Sequence, residues 1–150
     1  MTAPRRGPMI EAAWAVHRFV YRLSGGRVGT RVGGLPVLEL TTTGRKSGEP
    51  RRVLLSYREH DRGYVVVASA AGSERPPDWW LNLAATPRAR VRRDRRVEDV
   101  VPHELEGDER ERQWRRMLDA NPGYEEYQRS VSRRIPVVLL ERAQSPGGAG

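Results

Sequence analysis

The sequence of 150 residues contains no cysteine and almost no lysine. The absence of cysteine excludes disulfide bonds, thiol catalysis and cysteine-ligated metal. No apolar run reaches the roughly 18–20 residues that a membrane-spanning helix requires. The amino terminus also lacks the apolar segment and small-residue cleavage site of a secretory signal, so we expect a cytoplasmic protein.

Histidine is also scarce, and the remaining polar residues form no obvious catalytic set. The three histidines, His17, His60 and His103, show no metal-ligand spacing, so we expect no metal site. No Ser/His/Asp order and no carboxylate pair stands out. If the chain is an enzyme, a cofactor therefore carries the reaction.

Arginine dominates the residues that are present. The chain has 27 basic residues, of which Lys46 is the only lysine, and a formal net charge of +8 at pH 7. This excess attracts nucleic acid, anionic lipid or an acidic cofactor, and charge alone does not choose among them. The length indicates one domain with a core of its own.

A basic turn at residues 41–52 lies between apolar, strand-like runs at residues 35–40 and 53–57. Gly44 and Gly48 permit backbone angles that other residues resist. Free backbone N–H groups, hydroxyls and guanidinium groups suit phosphate or carboxylate, and the alternative is a solvated hairpin turn. The spacing is not that of a Walker loop. Four cations surround the turn: Arg45, Lys46, Arg51 and Arg52.

Apolar patterning predicts several strands joined by short connections, which favours an antiparallel meander. The predicted strands are residues 35–43, 52–58, 64–70 and 135–140, and the third is apolar enough to be central. Residues 89–93 and 96–105 predict a hairpin around Asp94-Arg95, with Val91 and Val97 facing inward and the arginines facing outward. A nucleic-acid patch on this hairpin is disfavoured because no aromatic residues alternate with the arginines.

Three helices are predicted within or after this sheet. Asp78 is expected to cap a helix over residues 79–85. Asp108 and Glu111 have the spacing of a capping box and start a helix that ends near Asp119. Residues 124–132 predict a further short helix. The sum is an α+β, mainly β chain of five or six mostly antiparallel strands, which favours a small barrel with packed helices.

Residues 9–23 form a basic amphipathic helix candidate that contains Trp14. Such a helix can lie on a membrane surface or pack on its own domain, and both alternatives stay open. We therefore divide the chain into an arm and helix at residues 1–24, a barrel domain at residues 25–142 and a disordered tail at residues 143–150.

Five motifs occur in one order along the chain. They are Leu-Thr-Thr-Thr-Gly-Arg-Lys-Ser-Gly (40–48), Val-Val-Val-Ala-Ser (65–69), Pro-x-Trp-x-x-Asn-Leu (77–83), Pro-Gly-Tyr-x-x-Tyr (122–127) and Arg-Arg-Ile-Pro-Val-Val (133–138). Together they resemble the deazaflavin-dependent nitroreductase family, whose members are also described as F420H2-dependent quinone reductases.

The resemblance implies an FMN-binding split-barrel-like fold and the cofactor coenzyme F420, a deazaflavin with a phosphate and an oligoglutamate tail. The basic turn would hold the phosphate and tail through Arg45, Lys46, Ser47, Arg51 and Arg52. One strand would run along the cofactor with Val53, Leu54, Leu55 and Ser56. The ring would contact Val67, Ala68, Ser69 and Ala70. A short helix would cover it with Asp78, Trp79, Trp80, Leu81 and Asn82.

The resemblance also implies a hydride transfer from reduced F420 to a quinone, or to a nitroaromatic compound. Tyr124 would border both ring and substrate, Tyr127 would lie on the substrate side, and Ser69 would hydrogen-bond the acceptor or help to protonate it. The chain departs from the family at Leu54, where proline is frequent, and at Ser56, where some members have an aromatic residue. Both departures bear on substrate choice more than on cofactor choice.

Other functions stay open alongside this one. The same fold binding flavin mononucleotide or haem is one alternative. A carrier of F420 or lipid without turnover is another, and a basic nucleic-acid-binding module is a third. Residues 9–23 are the candidate for peripheral contact with the inner face of the cell membrane. The oligomeric state is not predicted.

Overall fold

A computed structural model describes residues 31–32, 35–70 and 73–143 of the chain. The predicted helix at residues 9–23 and residues 144–150 of the predicted tail lie outside the described residues. The domain boundaries therefore stay a prediction.

The described residues form eight strands and three helices. The strands are β1 (Arg31–Val32), β2 (Leu35–Thr43), β3 (Pro50–Ser56), β4 (Arg58–His60), β5 (Gly63–Val67), β6 (Ala89–Arg93), β7 (Arg96–Glu104) and β8 (Val137–Arg142). The helices are α1 (Asp78–Ala85), α2 (Gly107–Ala120) and α3 (Gly123–Arg129).

The strands form one antiparallel sheet that curls into a barrel. Their order is β1-β2-β6-β7-β8-β5-β4, and β3 pairs with β2. Only Tyr57 separates β3 from β4, and its backbone N–H donates to the Pro36 carbonyl at 3.0 Å. One segment thus pairs with β2 through β3 and with β5 through β4, so the two ends of the sheet are joined by the chain itself.

The core is divided between the inside of the barrel and the space under the helices. Strand β5 is buried on both faces because its side chains alternate between these two regions. This explains its continuous apolar sequence, since neither face meets water. The barrel core includes Leu38, Leu40, Tyr57, Tyr64, Val66, Ala68, Trp79, Leu83, Val91 and Leu140. The region under the helices includes Leu35, Val67, Met117, Tyr124, Val131 and Ile135.

The strand predictions are confirmed in outline and corrected in detail. The described residues contain eight strands, where five or six were expected. Strand β2 begins and ends as predicted, whereas the predicted strand over 52–58 is interrupted at Tyr57 and continues into β4. Strand β5 ends at Val67 because the backbone turns away before Ala70, which has a φ of +47°. The last strand begins at Val137, after Pro136, instead of at Ile135.

The predicted side-chain caps and one predicted inward residue are wrong. Helix α1 has Pro77 at its N-cap position, and Asp78 lies inside the first turn. Helix α2 begins at Gly107, so the capping box of Asp108 and Glu111 does not form. Across the β6–β7 pair, the residue opposite the buried Val91 is Glu98 and not Val97. Val97 therefore lies on the other face of its strand, where it is 57% exposed.

Candidate active site

The basic turn between β2 and β3 is a closed backbone ring. The Gly44 N–H donates to the Glu49 carbonyl at 2.8 Å, and the Gly48 N–H donates to the Gly44 carbonyl at 2.8 Å. Gly48 has a φ of +74°, the left-handed region that favours glycine. A Cβ on Gly44 would lie 2.7 Å from the Ser47 hydroxyl. Gly48 thus suits the backbone angle of the turn, and Gly44 avoids crowding against Ser47.

Arg45 is braced against helix α1 by a buried amide. Its backbone N–H and its Nη1 both donate to the Asn82 side-chain oxygen, at 3.2 and 2.9 Å. Its Nη2 lies 3.3 Å from the Asp78 carboxylate. The Asn82 amide nitrogen donates to the Thr42 hydroxyl at 3.1 Å. One buried side chain thus fixes strand, turn and helix together and sets the direction of the arginine.

The other cations of the turn are exposed to solvent. Lys46 and Arg52 are exposed, and Arg51 donates to the Ser47 hydroxyl at 3.2 Å. That hydroxyl also accepts from the Glu49 N–H at 3.1 Å, so Ser47 serves the turn itself. Four cations against one turn carboxylate leave this edge of the barrel positive, which suits an anionic ligand.

The chain turns sharply where β5 ends. The Ala68 N–H continues the ladder by donating to the Pro136 carbonyl at 3.0 Å. Ala70 then adopts a left-handed conformation, which costs a residue with a Cβ about 1–2 kcal/mol. Backbone strain of this kind persists only where surrounding contacts hold it in place, and it is often found at functional sites. Ala68 and Ser69 are buried, and the side chains of residues 68–70 are all small.

Two tyrosines of helix α3, Tyr124 and Tyr127, lie next to each other, and Tyr124 contacts Ser56 at the end of strand β3. Tyr124 is buried between Trp114 and Tyr127, with ring centroids 6.5 and 6.1 Å away. The pKa of the Tyr124 hydroxyl is raised to about 12, mainly by burial and also by the charge of Tyr127, while a hydrogen bond with Ser56 opposes the rise. The structure thus brings together three predicted site residues, Ser56, Tyr124 and Tyr127, beside Trp114, which was predicted only as part of the apolar face of its helix.

Several other predicted site residues lie inside the protein. Trp79 is buried in the barrel core, whereas Trp80 is half-buried at its margin. Val53 and Leu55 face the same core as Leu38, whereas Leu54 and Ser56 lie on the opposite face of β3 because side chains alternate along a strand. The ligand contacts of Val53, Leu54, Leu55, Val67, Ala68, Trp79, Trp80 and Leu81 stay predictions.

Contacts with residues 130–136 were missed by sequence reasoning. The Arg133 guanidinium donates to three carbonyls around the end of β5. Glu74 accepts from the N–H and hydroxyl of Ser132, at 2.8 and 3.0 Å. The motif at residues 133–138 contains Arg133, but an arginine that binds carbonyls leaves no spacing signal in the sequence.

Metal binding and membrane spanning find no support among the described residues. They contain no group of His, Asp and Glu side chains placed to hold a metal ion. His60 instead lies 3.1 Å from Glu109, and this hydrogen bond lowers the pKa of that carboxyl. No helix in the described part of the chain is long and apolar enough to cross a membrane.

Comparisons with known proteins agree with this geometry. The family model described as F420H(2)-dependent quinone reductase matches residues 14–142. A Mycobacterium tuberculosis protein named F420H(2)-dependent quinone reductase is 37% identical over 85% of this chain and 88% of its own length. The solved structure of an F420-H2 dependent reductase (FDR-A) is 41% identical, with a TM-score of 0.65 over 71% of this chain and 94% of its own.

A second solved chain, described as a domain-swapped dimer, is 36% identical, with a TM-score of 0.67 over 90% of this chain and 100% of its own. The likeness to the reductase structure confirms the predicted split-barrel-like fold. The family match covers most of the sequence and includes every motif that the sequence pattern singled out. The chain belongs to the F420H(2)-dependent quinone reductase family.

Proposed function

We propose that this protein binds coenzyme F420 at the basic turn and reduces a quinone-type acceptor beside Tyr124. The carrying observation is the brace at Arg45, in which Asn82 and Asp78 of helix α1 hold the guanidinium in place beside a positive turn that two glycines shape. An anionic phosphate and an acidic tail fit this charge, and a flat ring fits the small residues that follow β5. Flavin mononucleotide, haem and nucleic acid have no comparable support.

Each group of residues has its own part in ligand binding. Lys46, as an exposed point charge, would meet the tail, while the Arg45 fork would meet the phosphate. Arg51 and Arg52 extend from opposite faces of β3, because consecutive strand residues alternate. Asn82 would act through Arg45 and not by contact with the ligand, since its side chain is buried and engaged.

On the acceptor side, the residues position the substrate and supply hydrogen bonds. Reduced F420 supplies a hydride when it is bound. A quinone needs one proton in addition to become the hydroquinone, and Ser69 is the proposed donor or relay of that proton. The Tyr124 hydroxyl is protonated at neutral pH, as any tyrosine is, and its raised pKa of about 12 makes ionisation at the site still less favourable. It can therefore donate a hydrogen bond to the acceptor oxygen without ionising.

The decisive experiment has two steps. The protein is first titrated with F420, with binding measured from the fluorescence of F420, and the reoxidation of F420H2 by menadione is then measured. We expect Lys46→Ala to weaken binding about 10-fold, as loss of one charge-assisted contact would do. Arg95→Ala is the matched control, since it also removes one exposed charge but lies on the β6–β7 turn. Equal affinity in wild type and Lys46→Ala, or no binding at all, would reject the assignment.

A finer part of the proposal concerns the membrane. Quinones dissolve in lipid, and residues 9–23 were predicted to form a basic amphipathic helix. We expect flotation with anionic liposomes to recover the full chain but not a variant without residues 1–23. Equal recovery of both proteins would argue against docking through this segment.

A further inference from the structure

All three guanidinium nitrogens of Arg133 donate hydrogen bonds to backbone carbonyls. Its Nη1 donates to the Ala68 carbonyl at 3.1 Å, its Nη2 to the Ser69 carbonyl at 3.0 Å and its Nε to the Ser73 carbonyl at 3.1 Å. Three acceptors from one short stretch therefore converge on a single fork. Only arginine has donors in this fixed planar arrangement, and lysine has a single charged nitrogen on a flexible stem.

The backbone that Arg133 holds is the strained one at the end of β5. Ala70 lies in the left-handed region, and its carbonyl accepts from the Ser73 N–H at 3.1 Å. Convergent carbonyl dipoles repel one another unless a cation or donor lies between them. Arg133 occupies that position, so it stabilises a conformation that the local sequence does not favour.

Arg133 is itself tied to the helix that carries the tyrosines. Its carbonyl accepts from the Gln128 side-chain nitrogen at 2.8 Å, and the Ile135 N–H donates to the Gln128 side-chain oxygen at 2.9 Å. Gln128 lies on α3 one residue after Tyr127. The same amide thus links the arginine to the acceptor side of the site.

We propose that Arg133 is a positioning residue that fixes Ser69 relative to Tyr124 and Tyr127. The inference rests on the proposed function, because that proposal assigns Ser69 and the two tyrosines to the same acceptor. Displacement of a reacting group by about 1 Å can cost about 100-fold in rate. The proposed function assigns most of the cofactor affinity to charged contacts at the basic turn, which holds no part of this network. Loss of Arg133 would disturb only the backbone beside the ring, so it affects turnover more than cofactor affinity.

The test compares Arg133→Ala and Arg133→Lys with Arg134→Ala, the matched control at the exposed neighbouring arginine. Hydrogen exchange without cofactor is followed in peptides that contain residues 68–70. Cofactor affinity, kcat and KM are then measured separately. We expect faster exchange and about 100-fold lower kcat in both Arg133 variants, with cofactor affinity changed less than about 3-fold. Added guanidinium should restore part of kcat in Arg133→Ala.

Two results would overturn the proposal. One is exchange at residues 68–70 that is equal in Arg133→Lys and wild type. The other is a kcat in Arg133→Lys equal to that of the wild type, which would show that a positive charge is sufficient and that the planar arrangement of donors is not needed. The lysine variant keeps the charge and decides the matter if Arg133→Ala does not fold. A wild type without F420 turnover would reject the proposed function alone, because the exchange comparison still decides whether Arg133 holds this backbone.

Discussion

Tyr124 shows how burial sets the chemistry of a single residue. Its hydroxyl is neutral below a pKa of about 12, compared with 10.0 for an ordinary tyrosine. The native state therefore keeps a proton that the unfolded chain loses first. The stability that depends on the neutral hydroxyl is fully present below pH 10 and is lost as the pH rises from 10 to 12.

Tyr124→Phe should remove this part of the pH dependence. We expect the free energy of unfolding of the wild type to fall between pH 10 and 12 by about 2 kcal/mol more than that of the variant. Urea unfolding at both ends of this range measures the difference, and circular dichroism at neutral pH confirms that the variant folds. Parallel curves for the two proteins would contradict the burial of this hydroxyl.

The positive charge of the basic turn was predictable from the sequence, but the contacts that support the turn were not. Two glycines, a lone lysine and three arginines around one turn are a local pattern. The brace at Asn82 joins residues that are 37 and 40 positions apart, so no spacing reveals it. The contact of Asn82 with the ring stays a prediction, and its buried side chain holds Arg45 and Thr42.

At the scale of elements, Gly63 determines how closely β5 approaches β8. A Cβ at this position would overlap the Leu140 carbonyl oxygen on the neighbouring strand. Neither strand can move aside, because β5 and β8 are buried and paired along their lengths. The absence of a side chain is therefore a requirement of the ladder.

Gly63→Ala should cost at least about 3 kcal/mol of unfolding free energy, because the added methyl group displaces a central strand. The matched control is Gly107→Ala, where the φ is +60° and a Cβ would meet nothing within 4 Å. There only backbone strain of about 1 kcal/mol is expected. Urea unfolding measures both values, and equal costs would show that the strands can separate.

Strand existence was predictable where patterning is strong, and strand ends were not. Strand β2 has clear apolar patterning and a glycine after it, so its bounds are confirmed. Strand β5 was predicted too long because Ala68, Ser69 and Ala70 continue the apolar run while contacts from Arg133 bend the backbone away. Val97 was predicted inward because pairing register across a hairpin cannot be counted from composition alone.

At the scale of the whole molecule, Arg93 closes the barrel. It donates to the Tyr57 hydroxyl at 3.3 Å and to the Glu59 carboxylate. Its guanidinium also lies 5.9 and 5.8 Å from the ring centroids of Tyr57 and Tyr64. The arginine thus connects β6 across the barrel with the segment that joins the two ends of the sheet.

Arg93→Ala should destabilise the protein by about 2 kcal/mol, since it leaves the buried Tyr57 hydroxyl without its donor and the Tyr57 ring without its cation, whereas the Tyr64 ring keeps Arg142. Arg90→Ala is the matched control on the same strand, where an exposed pair with Asp99 should contribute less than about 1 kcal/mol. Thermal unfolding followed by tryptophan fluorescence compares them. A larger effect at Arg90 would contradict the role of Arg93 in closure.

The position of β8 has a consequence for biosynthesis. This strand lies between β7 and β5, yet it is made last among the described strands. Ribosomal synthesis therefore completes both neighbouring strands before their shared partner exists. Until residue 142 emerges, each nascent chain exposes two open strand edges, the kind of surface that chaperones shield and that neighbouring polypeptides can pair with.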